Sequence, residues 1–509
     1  MLLALNWGEF PTGTDIVWLL ASLCIGFLII QIIGTLVYNA YFHPLAQYPG
    51  PLLARSTNLV YWTVVIKGDL LPWIQRIHTQ YGDTVRLGPN TLSYTTPEAW
   101  RDIYGQQRSS GNITGGDDRK KKTNPKDRLV YQPDLNGRHG LNGVRDDEQH
   151  ARLRRIFAHA FSDRALKEQE PLIVRLVDHL VRNMRAHAKL DMVKLFTCTT
   201  FDIMGDLTFG EPLGLLDTSE YSPWVEALFG FLKFGDLSRI LLEYPLLGCL
   251  AAYLVPASLL EQARMHFQFA AERVDRRIER GSERPDIWNL VLRQPEGERL
   301  DRGEMHANAS IFMLAGTETS ATLLSGLLYL LCEHPDKMKT LCDEIRGNFH
   351  SDGDFTIESL QRLKYLSACI EEGLRLYPPL PIGPPREVHP DGNIICGKWV
   401  PGKTRLAVAQ YTAYRSPRNF RDPDAFIPER WLPGTGYDDD KKNALQPFSY
   451  GPRNCIGQNL AYHEMRMILA KVLWNFDIEL CPESAGWMNQ KIWSLWAKPP
   501  LWVKVKACR

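Results

Sequence analysis

The sequence predicts a mainly α-helical protein with a minor β portion, preceded by one N-terminal transmembrane helix. First, apolar residues recur at helical spacing over most of residues 148–376. Second, strand-like alternation is confined to short pieces near residues 84–94 and 385–410. Third, residues 16–38 form a long apolar run close to the N-terminus. With 509 residues and 44% apolar composition, the rest of the chain can bury one large core.

The N-terminal region carries the predicted membrane anchor. Residues 16–38 are long enough to span a bilayer as a helix, and no Lys or Arg precedes Arg55. The positive-inside bias therefore predicts a lumenal N-terminus, residues 1–15, and a cytosolic C-terminal side. Residues 39–54 form a proline-rich linker, and residues 55–509 form the globular domain. A cleaved signal peptide is the alternative, although its apolar region is normally shorter and follows a basic stretch.

Periodicity predicts the elements of this domain in chain order. A helix over 71–81 and strands over 84–87 and 91–94 precede a Gly-, Asn- and Asp-rich loop region over 105–145. The helices that follow are predicted over residues 148–160, 164–187, 190–209, 221–234, 256–280, 301–333, 335–349, 357–376 and 458–470. Strand-like pieces lie within 385–410, and residues 412–446 are irregular. This order predicts one α-rich domain without an internal linker.

Cysteine and charge usage narrow the class of protein. The ten cysteines are scattered without a C-x-x-C pair, which is typical of a reducing compartment. The net charge of +1 argues against nucleic acid as a partner. We therefore expect free thiols and no nucleic-acid binding.

Residues 448–457 read Phe-Ser-Tyr-Gly-Pro-Arg-Asn-Cys-Ile-Gly and place Cys455 just before a predicted helix. The unsatisfied N–H groups and the dipole of that helix favour a thiolate. Gly451 and Gly457 remove side chains where a large flat ligand would approach the backbone. A lone thiolate can be the axial ligand of haem iron, whereas a buried structural cysteine is the ordinary alternative.

The complete F-x-x-G-x-R-x-C-x-G frame closely resembles the haem-binding loop of the cytochrome P-450 superfamily. The resemblance extends over nearly the whole chain after the anchor, and residues 158–162 and 208–212 resemble fungal members that tailor secondary metabolites. It implies the cytochrome P-450 fold, haem b as cofactor and Cys455 as its iron ligand. It also implies that Phe448 packs near the sulfur and that Gly457 contributes to cofactor binding, which makes residues 55–509 a haem-binding monooxygenase domain.

The predicted helix over 301–333 contains the run Ala-Gly-Thr-Glu-Thr-Ser at residues 315–320. Hydroxyl side chains there can bond back to preceding carbonyls and open the helical ladder, so a bent core helix is the structural alternative. The run fits the A-G-x-[DE]-T-[TS] signature of the same family at every position. The resemblance implies that Thr319 hydrogen-bonds dioxygen and that Glu318 helps to relay protons to it.

Glu372 and Arg375 are three residues apart and share one face of a predicted helix. Alone, such a pair is ordinarily a surface salt bridge of little value. In the family it is a buried E-x-x-R pair joined by a later arginine, and Arg430 is the matching residue here. The resemblance implies a structural network of these three residues rather than a catalytic group.

Four further basic residues match family positions that hold the two haem propionates. Arg453 lies inside the cysteine loop, and His150 and Arg154 share one helix face. Arg386 follows the proline-rich turn after the Glu372 helix. His150 stands where many members carry tryptophan and keeps a hydrogen-bond donor.

The resemblance implies a monooxygenase anchored on the cytosolic face of the endoplasmic reticulum membrane. No flavin domain and no G-x-G-x-x-G fingerprint after a strand is found, so electrons come from an NADPH–cytochrome reductase that docks near Arg152 and Arg155. The co-substrates are O2 and an apolar small molecule, expected to be a fungal secondary-metabolite intermediate. The expected pocket residues are 105–145, Phe312, Ala315, 380–383 and 487–488.

Two other functions remain open from the sequence. A haem-thiolate isomerase or dehydratase would rearrange an oxygenated substrate without inserting oxygen, although such enzymes tend to lose the acid–alcohol pair at 318–319. A non-catalytic, membrane-tethered binding protein with a structural Cys455 would contain no haem. Dependence of turnover on NADPH distinguishes the first from a monooxygenase, and haem content distinguishes the second.

Overall fold

The computed structural model describes residues 13–106, 123–244, 257–281, 286–294 and 299–509. The helices are α1 Gly13–Val37, α2 Leu52–Ser56, α3 Leu59–Ile66, α4 Leu70–Tyr81, α5 Glu98–Tyr104, α6 Asp147–Ala158, α7 Asp163–Arg185, α8 Met192–Phe209, α9 Leu215–Thr218, α10 Pro223–Glu243, α11 Ala257–Arg280, α12 Ile287–Leu292, α13 Arg302–Glu333, α14 Pro335–Asn348, α15 Ile357–Gln361, α16 Lys364–Leu376, α17 Gln410–Tyr414 and α18 Gln458–Asn475. The strands are β1 Thr84–Gly88, β2 Thr91–Tyr94, β3 Lys189–Asp191, β4 Arg386–Glu387, β5 Asn393–Ile395, β6 Lys398–Val400, β7 Arg405–Val408, β8 Phe476–Leu480, β9 Ile492–Trp493, β10 Leu495–Trp496 and β11 Trp502–Ala507.

The mainly α class with a minor β portion is confirmed. Most long periodic segments are helices close to their predicted bounds, but the helix predicted over 221–234 extends to Glu243 as α10. The prediction of one continuous helix over 357–376 is wrong, because the structure divides this stretch into α15 and α16. Leu363 is extended between them. The Glu344 carboxylate accepts the backbone N–H groups of Tyr365 and Leu366 at 2.9 and 2.8 Å. A side chain from another helix thus caps α16, and no local pattern could reveal it.

The apolar helix α1 differs from the core helices in its exposure. It continues into a π-helical turn, Tyr38–Phe42. The segment Ile16–Phe42 is long and apolar enough to cross a membrane, and its most apolar 18-residue stretch is 0% buried. The helix α13 is also long and apolar enough, but 72% of its most apolar 18-residue stretch is buried inside the protein. We therefore assign α13 to the protein core, whereas α1 is suited to anchor the chain in a membrane; residues 1–12 lie outside the described part.

The largest sheet brings distant segments to the same place. Its strand order is β1-β2-β7-β4, with β2 parallel to β7 and the other pairs antiparallel. Arg386 of β4 lies opposite Leu406 of β7, and an isolated bridge places Lys126 beside Arg386. The remaining sheets are a three-stranded one, β3-β11-β8, and the pairs β5/β6 and β9/β10. The chief consequence is that Lys126 and Arg386 become neighbours at the β4 edge of the four-stranded sheet.

The helix α13 crosses the core as one uninterrupted helix. Asp301 and Glu304 form a capping box at its N-terminus. Gly316 allows close packing against α8, because a Cβ there would lie 2.6 Å from the sulfur of Met204. The Thr319 hydroxyl donates to the Ala315 carbonyl at 2.8 Å. The back-bond that the sequence suggested is present, but the expected opening of the helical ladder is not.

Glu372, Arg375 and Arg430 meet in a fully buried network. Arg375 donates to both carboxylate oxygens of Glu372, at 2.9 and 2.7 Å, and Arg430 donates to one of them at 3.1 Å. Their side chains are 0% exposed. Arg375 also donates to the carbonyls of Tyr414 and Ala425 at 2.9 Å each. The network therefore joins α16 to the irregular segment that leads toward the cysteine loop.

Replacing Arg430 by alanine should lower the free energy of unfolding by about 3–5 kcal/mol, because Glu372 would keep a buried charge with one partner fewer. Arg430→Ala also frees Asp440, whose carboxylate accepts from the same guanidinium. The measurement is chemical denaturation followed by far-UV circular dichroism.

The matched control is Arg418→Ala. Arg418 pairs with Asp83, but its side chain is 62% exposed. That change should cost no more than about 1 kcal/mol. Equal losses for the two variants would contradict a structural role for the buried network.

Candidate active site

The cysteine loop closes on itself immediately before α18. The Cys455 N–H donates to the Phe448 carbonyl at 2.8 Å, and a short 3-10 turn spans Gly451–Arg453. Gly451 has a φ of +77°, and a Cβ there would lie 2.3 Å from the backbone oxygen of Tyr104. Gly451 is thus required by its own turn and by contact with α5, and the approach of a flat ligand to this glycine stays a prediction. A Cβ on Gly457 would make only ordinary contacts, the nearest at 3.8 Å from Phe161.

The protonation of Cys455 is governed by two opposing influences. Burial raises the pKa of the thiol, while the Gly457 N–H and the Arg154 guanidinium act in the opposite direction. The net pKa of Cys455 is above the ordinary value in the protein alone. Its side chain is nonetheless exposed, so the sulfur is accessible to a ligand. Ionisation of Cys455 to a thiolate stays a prediction.

Arg154 and Arg453 hold the cysteine loop against α6. The terminal nitrogens of Arg154 donate to the carbonyl and to the side-chain oxygen of Asn454, the latter at 2.8 Å. Arg453 donates to the carbonyls of Val144 and Arg145 and to the Asp147 carboxylate at 2.7 Å. In this structure both guanidinium groups serve the position of the loop. Propionate binding by Arg154 and Arg453 stays a prediction, with this second role beside it.

Buried basic groups gather between β4, α6 and the cysteine loop. Arg386 is 1% exposed, and none of its three guanidinium nitrogens has a hydrogen-bond partner among the residues that the structure describes. Burial lowers the pKa of Arg386 to about 10, which still leaves it charged at neutral pH. Burial and the neighbouring charges of Arg386 and Arg453 lower the pKa of Lys126 well below its ordinary value. Sequence reasoning missed Lys126, since only the sheet brings it next to Arg386.

His150 belongs to the same cluster but is not one of its cations. Burial, followed by the charges of Arg453 and Lys126, lowers the pKa of His150 to about 3. The imidazole is therefore neutral at physiological pH, which corrects the expectation of a fourth cation. A neutral imidazole still has one N–H to donate.

The cluster fits a ligand that carries carboxylate groups. An unpaired, buried guanidinium is strongly unfavourable, and an anion that accepts from it removes the cost. The two propionates of haem are such anions, and Arg386, Lys126 and His150 provide donors for them. Cys455 lies in the loop that Arg453 ties to the same region. The donor set therefore suits an iron porphyrin with one sulfur ligand.

A cavity of about 410 Å³ lies along α13. Its wall contains Ala315, Glu318 and Thr319, together with residues of the predicted pocket segments, among them Leu129, Val130, Tyr131, Asn142, Leu380, Ile382 and Gly383. Residues 107–122 of the predicted loop lie outside the described part of the chain. The cavity thus brings the acid–alcohol pair together with a mainly apolar wall.

Three predicted pocket residues do not line this cavity. Phe312 is 6% exposed and packs edge-to-face on Phe157 at 4.9 Å between ring centroids. Trp487 is buried against Tyr329 and Tyr377, and Met488 packs against the core beside it. In the C-terminal part, the cavity is lined instead by Ile492, Ser494 and Leu495.

The opposite part of the cavity wall carries a polar cluster that sequence reasoning missed. Glu243, at the end of α10, accepts from Asn58 at 2.5 Å and from the Trp62 indole at 2.7 Å. Arg405 of β7 donates to the same carboxylate at 3.1 Å and pairs with Asp127 at 3.2 Å. These residues come from four distant segments, so no local pattern could have identified them. They place a polar cluster in an otherwise largely apolar wall.

Glu318 and Thr319 differ in their surroundings. The Thr319 hydroxyl is bonded within α13, as described above. Glu318 is 3% exposed, and one of its oxygens accepts from the Lys498 ammonium and from the Thr322 hydroxyl. Its other oxygen, Oε2, is buried without a hydrogen-bond partner in the described part of the chain. The motif predicted the acid and the alcohol, but nothing in it indicated Lys498.

Comparison with known proteins agrees with this site. The cytochrome P450 family model matches residues 106–506. The cytochrome P450 monooxygenase FUM2 of Gibberella moniliformis is 49% identical over 93% of this chain and 100% of its own length. The cytochrome P450 monooxygenase AMT3 of Alternaria alternata is 46% identical over 92% and 95%, and the averantin hydroxylase of Dothistroma septosporum is 40% identical over 94% and 90%. Such coverage extends beyond the cysteine loop to the whole domain, and the chain belongs to the cytochrome P450 family of monooxygenases.

Proposed function

We propose that this protein is a haem-thiolate monooxygenase that hydroxylates or otherwise oxidises an apolar small molecule, an intermediate of fungal secondary metabolism. One observation carries the proposal: Glu318 and Thr319 line the same cavity as a set of apolar residues. The names of its relatives support the reaction class, and one of them is a hydroxylase. The substrate class is inferred from the apolar wall and from the fungal origin of those relatives.

The chain divides the work of cofactor binding among distinct residues. Bound haem b would supply oxygen activation, with Cys455 as its axial ligand donating electron density. Arg386, Lys126 and His150 would receive the propionates, and Arg154 and Arg453 would keep the loop in place. Phe448 lies 5.0 Å from the Tyr462 ring and would limit water near the sulfur.

On the cavity side, Thr319 and Glu318 would manage protons. The Thr319 hydroxyl can exchange its bond to the Ala315 carbonyl for one to dioxygen, because a threonine hydroxyl rotates freely about its own bond. Glu318, with its unpartnered Oε2, would pass protons toward that hydroxyl. The apolar wall would keep bulk water away from the reacting carbon.

The membrane anchor and the electron donor complete the proposal. The exposed apolar helix α1 would hold the protein in the endoplasmic reticulum membrane with its domain in the cytosol. An NADPH–cytochrome reductase would supply the two electrons. Arg155 of α6 is exposed and available to an acidic partner, whereas Arg152 already pairs with Glu304. Arg155 is therefore the better candidate contact of the two.

The reaction class is tested by reconstituting the full chain with haem, NADPH–cytochrome reductase and lipid. We expect O2 uptake that requires both NADPH and the reductase, and incorporation of one labelled oxygen atom from 18O2 into octylbenzene as an apolar probe. Haem-containing protein without NADPH-dependent O2 uptake would favour an isomerase or dehydratase. Protein that binds no haem at all would favour a binding function.

Arg386→Met should weaken haem retention by at least about tenfold, because it removes a charged donor to a carboxylate worth ~1.5–3 kcal/mol. The same change should leave the haem-free chain at least as stable, since Arg386 is unpaired there. Haem content is read from the ratio of Soret to protein absorbance after gel filtration, and stability from thermal unfolding. Unchanged haem retention would contradict the propionate assignment.

Thr319→Ala should uncouple NADPH oxidation from product formation. O2 uptake should continue, while hydrogen peroxide per NADPH rises and octylbenzene oxidation falls by about 10²-fold, a typical loss for one proton-transfer group. The matched control is Thr317→Ala, which removes a hydroxyl bonded in the same way to Met313 at 2.6 Å but buried away from the cavity. Equal coupling in the two variants would contradict the proposed relay.

A further inference from the structure

Glu318 is joined to a lysine that lies 180 residues away in the sequence. Lys498 follows β10 and precedes β11, and its Nζ donates to Glu318 Oε1 and to the Thr322 hydroxyl, the latter at 2.5 Å. Thr322 in turn donates to the same Glu318 oxygen at 3.3 Å. The three polar groups form a closed triad, and Glu318 is its member in the wall of the cavity.

The burial of this pair sets it apart from the surface ion pairs of the chain. The side chains of Lys498 and Glu318 are 6% and 4% exposed. A buried ion pair is expensive to desolvate and adds little to stability compared with apolar residues of the same size. An account of it as packing alone is therefore weak, and its place beside Thr319 points to the reaction.

The other titratable neighbours do not neutralise Glu318. Its charge acts on Tyr221, which precedes α10, and on Tyr377, which follows α16. Burial is the main cause that raises the pKa of both phenols, so neither is ionised at neutral pH. On its own helix the contact is the uncharged Thr322. Among these groups, Lys498 supplies the positive charge.

We propose that Lys498 is a positioning residue for proton delivery. Its ammonium pairs with the Glu318 carboxylate and orients it, with Oε1 held and Oε2 left to take a proton and pass it toward Thr319. Oε2 takes each proton from solvent and releases it toward Thr319, and this release returns the carboxylate to its ionised form and restores the ion pair with Lys498. The inference rests on the proposed function, in which Glu318 and Thr319 form the relay.

Removing the ammonium has a defined chemical consequence. A buried carboxylate without a counter-charge binds its proton more tightly. The carboxyl then becomes a weaker acid and delivers the proton more slowly, while Oε1 loses the partner that fixes its direction. Lys498→Met should therefore leave Glu318 protonated at neutral pH and impair coupling, and Lys498→Arg should retain much of the wild-type behaviour because it keeps the charge.

Infrared difference spectroscopy of the haem-loaded full chain tests the protonation directly. Lys498→Met should show a carbonyl band of a protonated carboxylic acid at neutral pH that is absent from the double variant Lys498→Met/Glu318→Gln. Wild type and Lys498→Arg should lack it. If Lys498→Met also lacks the band, the lysine does not control the Glu318 proton and the proposal fails.

Turnover provides the second readout, with octylbenzene as probe. Lys498→Met should lower product per NADPH by about tenfold, less than the 10²–10⁴ that a positioned acid itself contributes, with a matching rise in hydrogen peroxide. The control is Lys491→Met, because Lys491 pairs with Asp69 at the surface, where their side chains are 52% and 45% exposed. It should couple like wild type.

Three outcomes distinguish failure of the Lys498 proposal from failure of the proposed monooxygenase function. Wild type without NADPH-dependent oxidation contradicts the proposed function, whereas coupled wild type with an equally coupled Lys498→Met contradicts the inference alone. If Lys498→Met does not fold, the double variant with Glu318→Gln, which removes both charges, should fold. Failure of the double variant as well would reduce Lys498 to a packing residue and overturn the proposal.

Discussion

An excess of buried positive charge around Arg386 is the constraint on which the rest of the cofactor site depends. An isolated bridge to β4, the edge strand of the four-stranded sheet, places Lys126 beside Arg386, and the cysteine loop adds Arg453. Asp147 balances Arg453, but the Arg386 guanidinium has no hydrogen-bond partner within the described ranges. A protein interior tolerates such a charge only when an anion completes it. The fold is therefore built to be finished by a cofactor with carboxylate groups.

Two polar networks hold the cysteine loop, one through the segment that precedes it and one through Asn454 within it. The Glu372 network fixes the segment before it to α16, and Arg154 ties Asn454 to α6. The sulfur of Cys455 is thus positioned by groups that take no part in chemistry. On the cavity side, we propose that the Glu318–Lys498 pair plays the corresponding part for protons. In both places paired charges, rather than apolar packing, hold the group that would react.

Local sequence patterns predicted the features that are local in the chain. The Glu372–Arg375 pair follows from helical spacing, and the cysteine loop and the acid–alcohol run follow from contiguous motifs. What could not be predicted depends on contacts between distant segments. Lys126 meets Arg386 only through the sheet, Lys498 reaches Glu318 from beyond β10, and Glu344 divides a predicted helix by capping α16.

The most direct test of the central claim is the carbon monoxide difference spectrum of the reduced, haem-loaded protein. Thiolate ligation by Cys455 predicts a strongly red-shifted Soret band in the wild type and its loss in Cys455→Ala. The same red-shifted band in Cys455→Ala, or its absence from haem-loaded wild type, would contradict the assignment of Cys455 as the iron ligand.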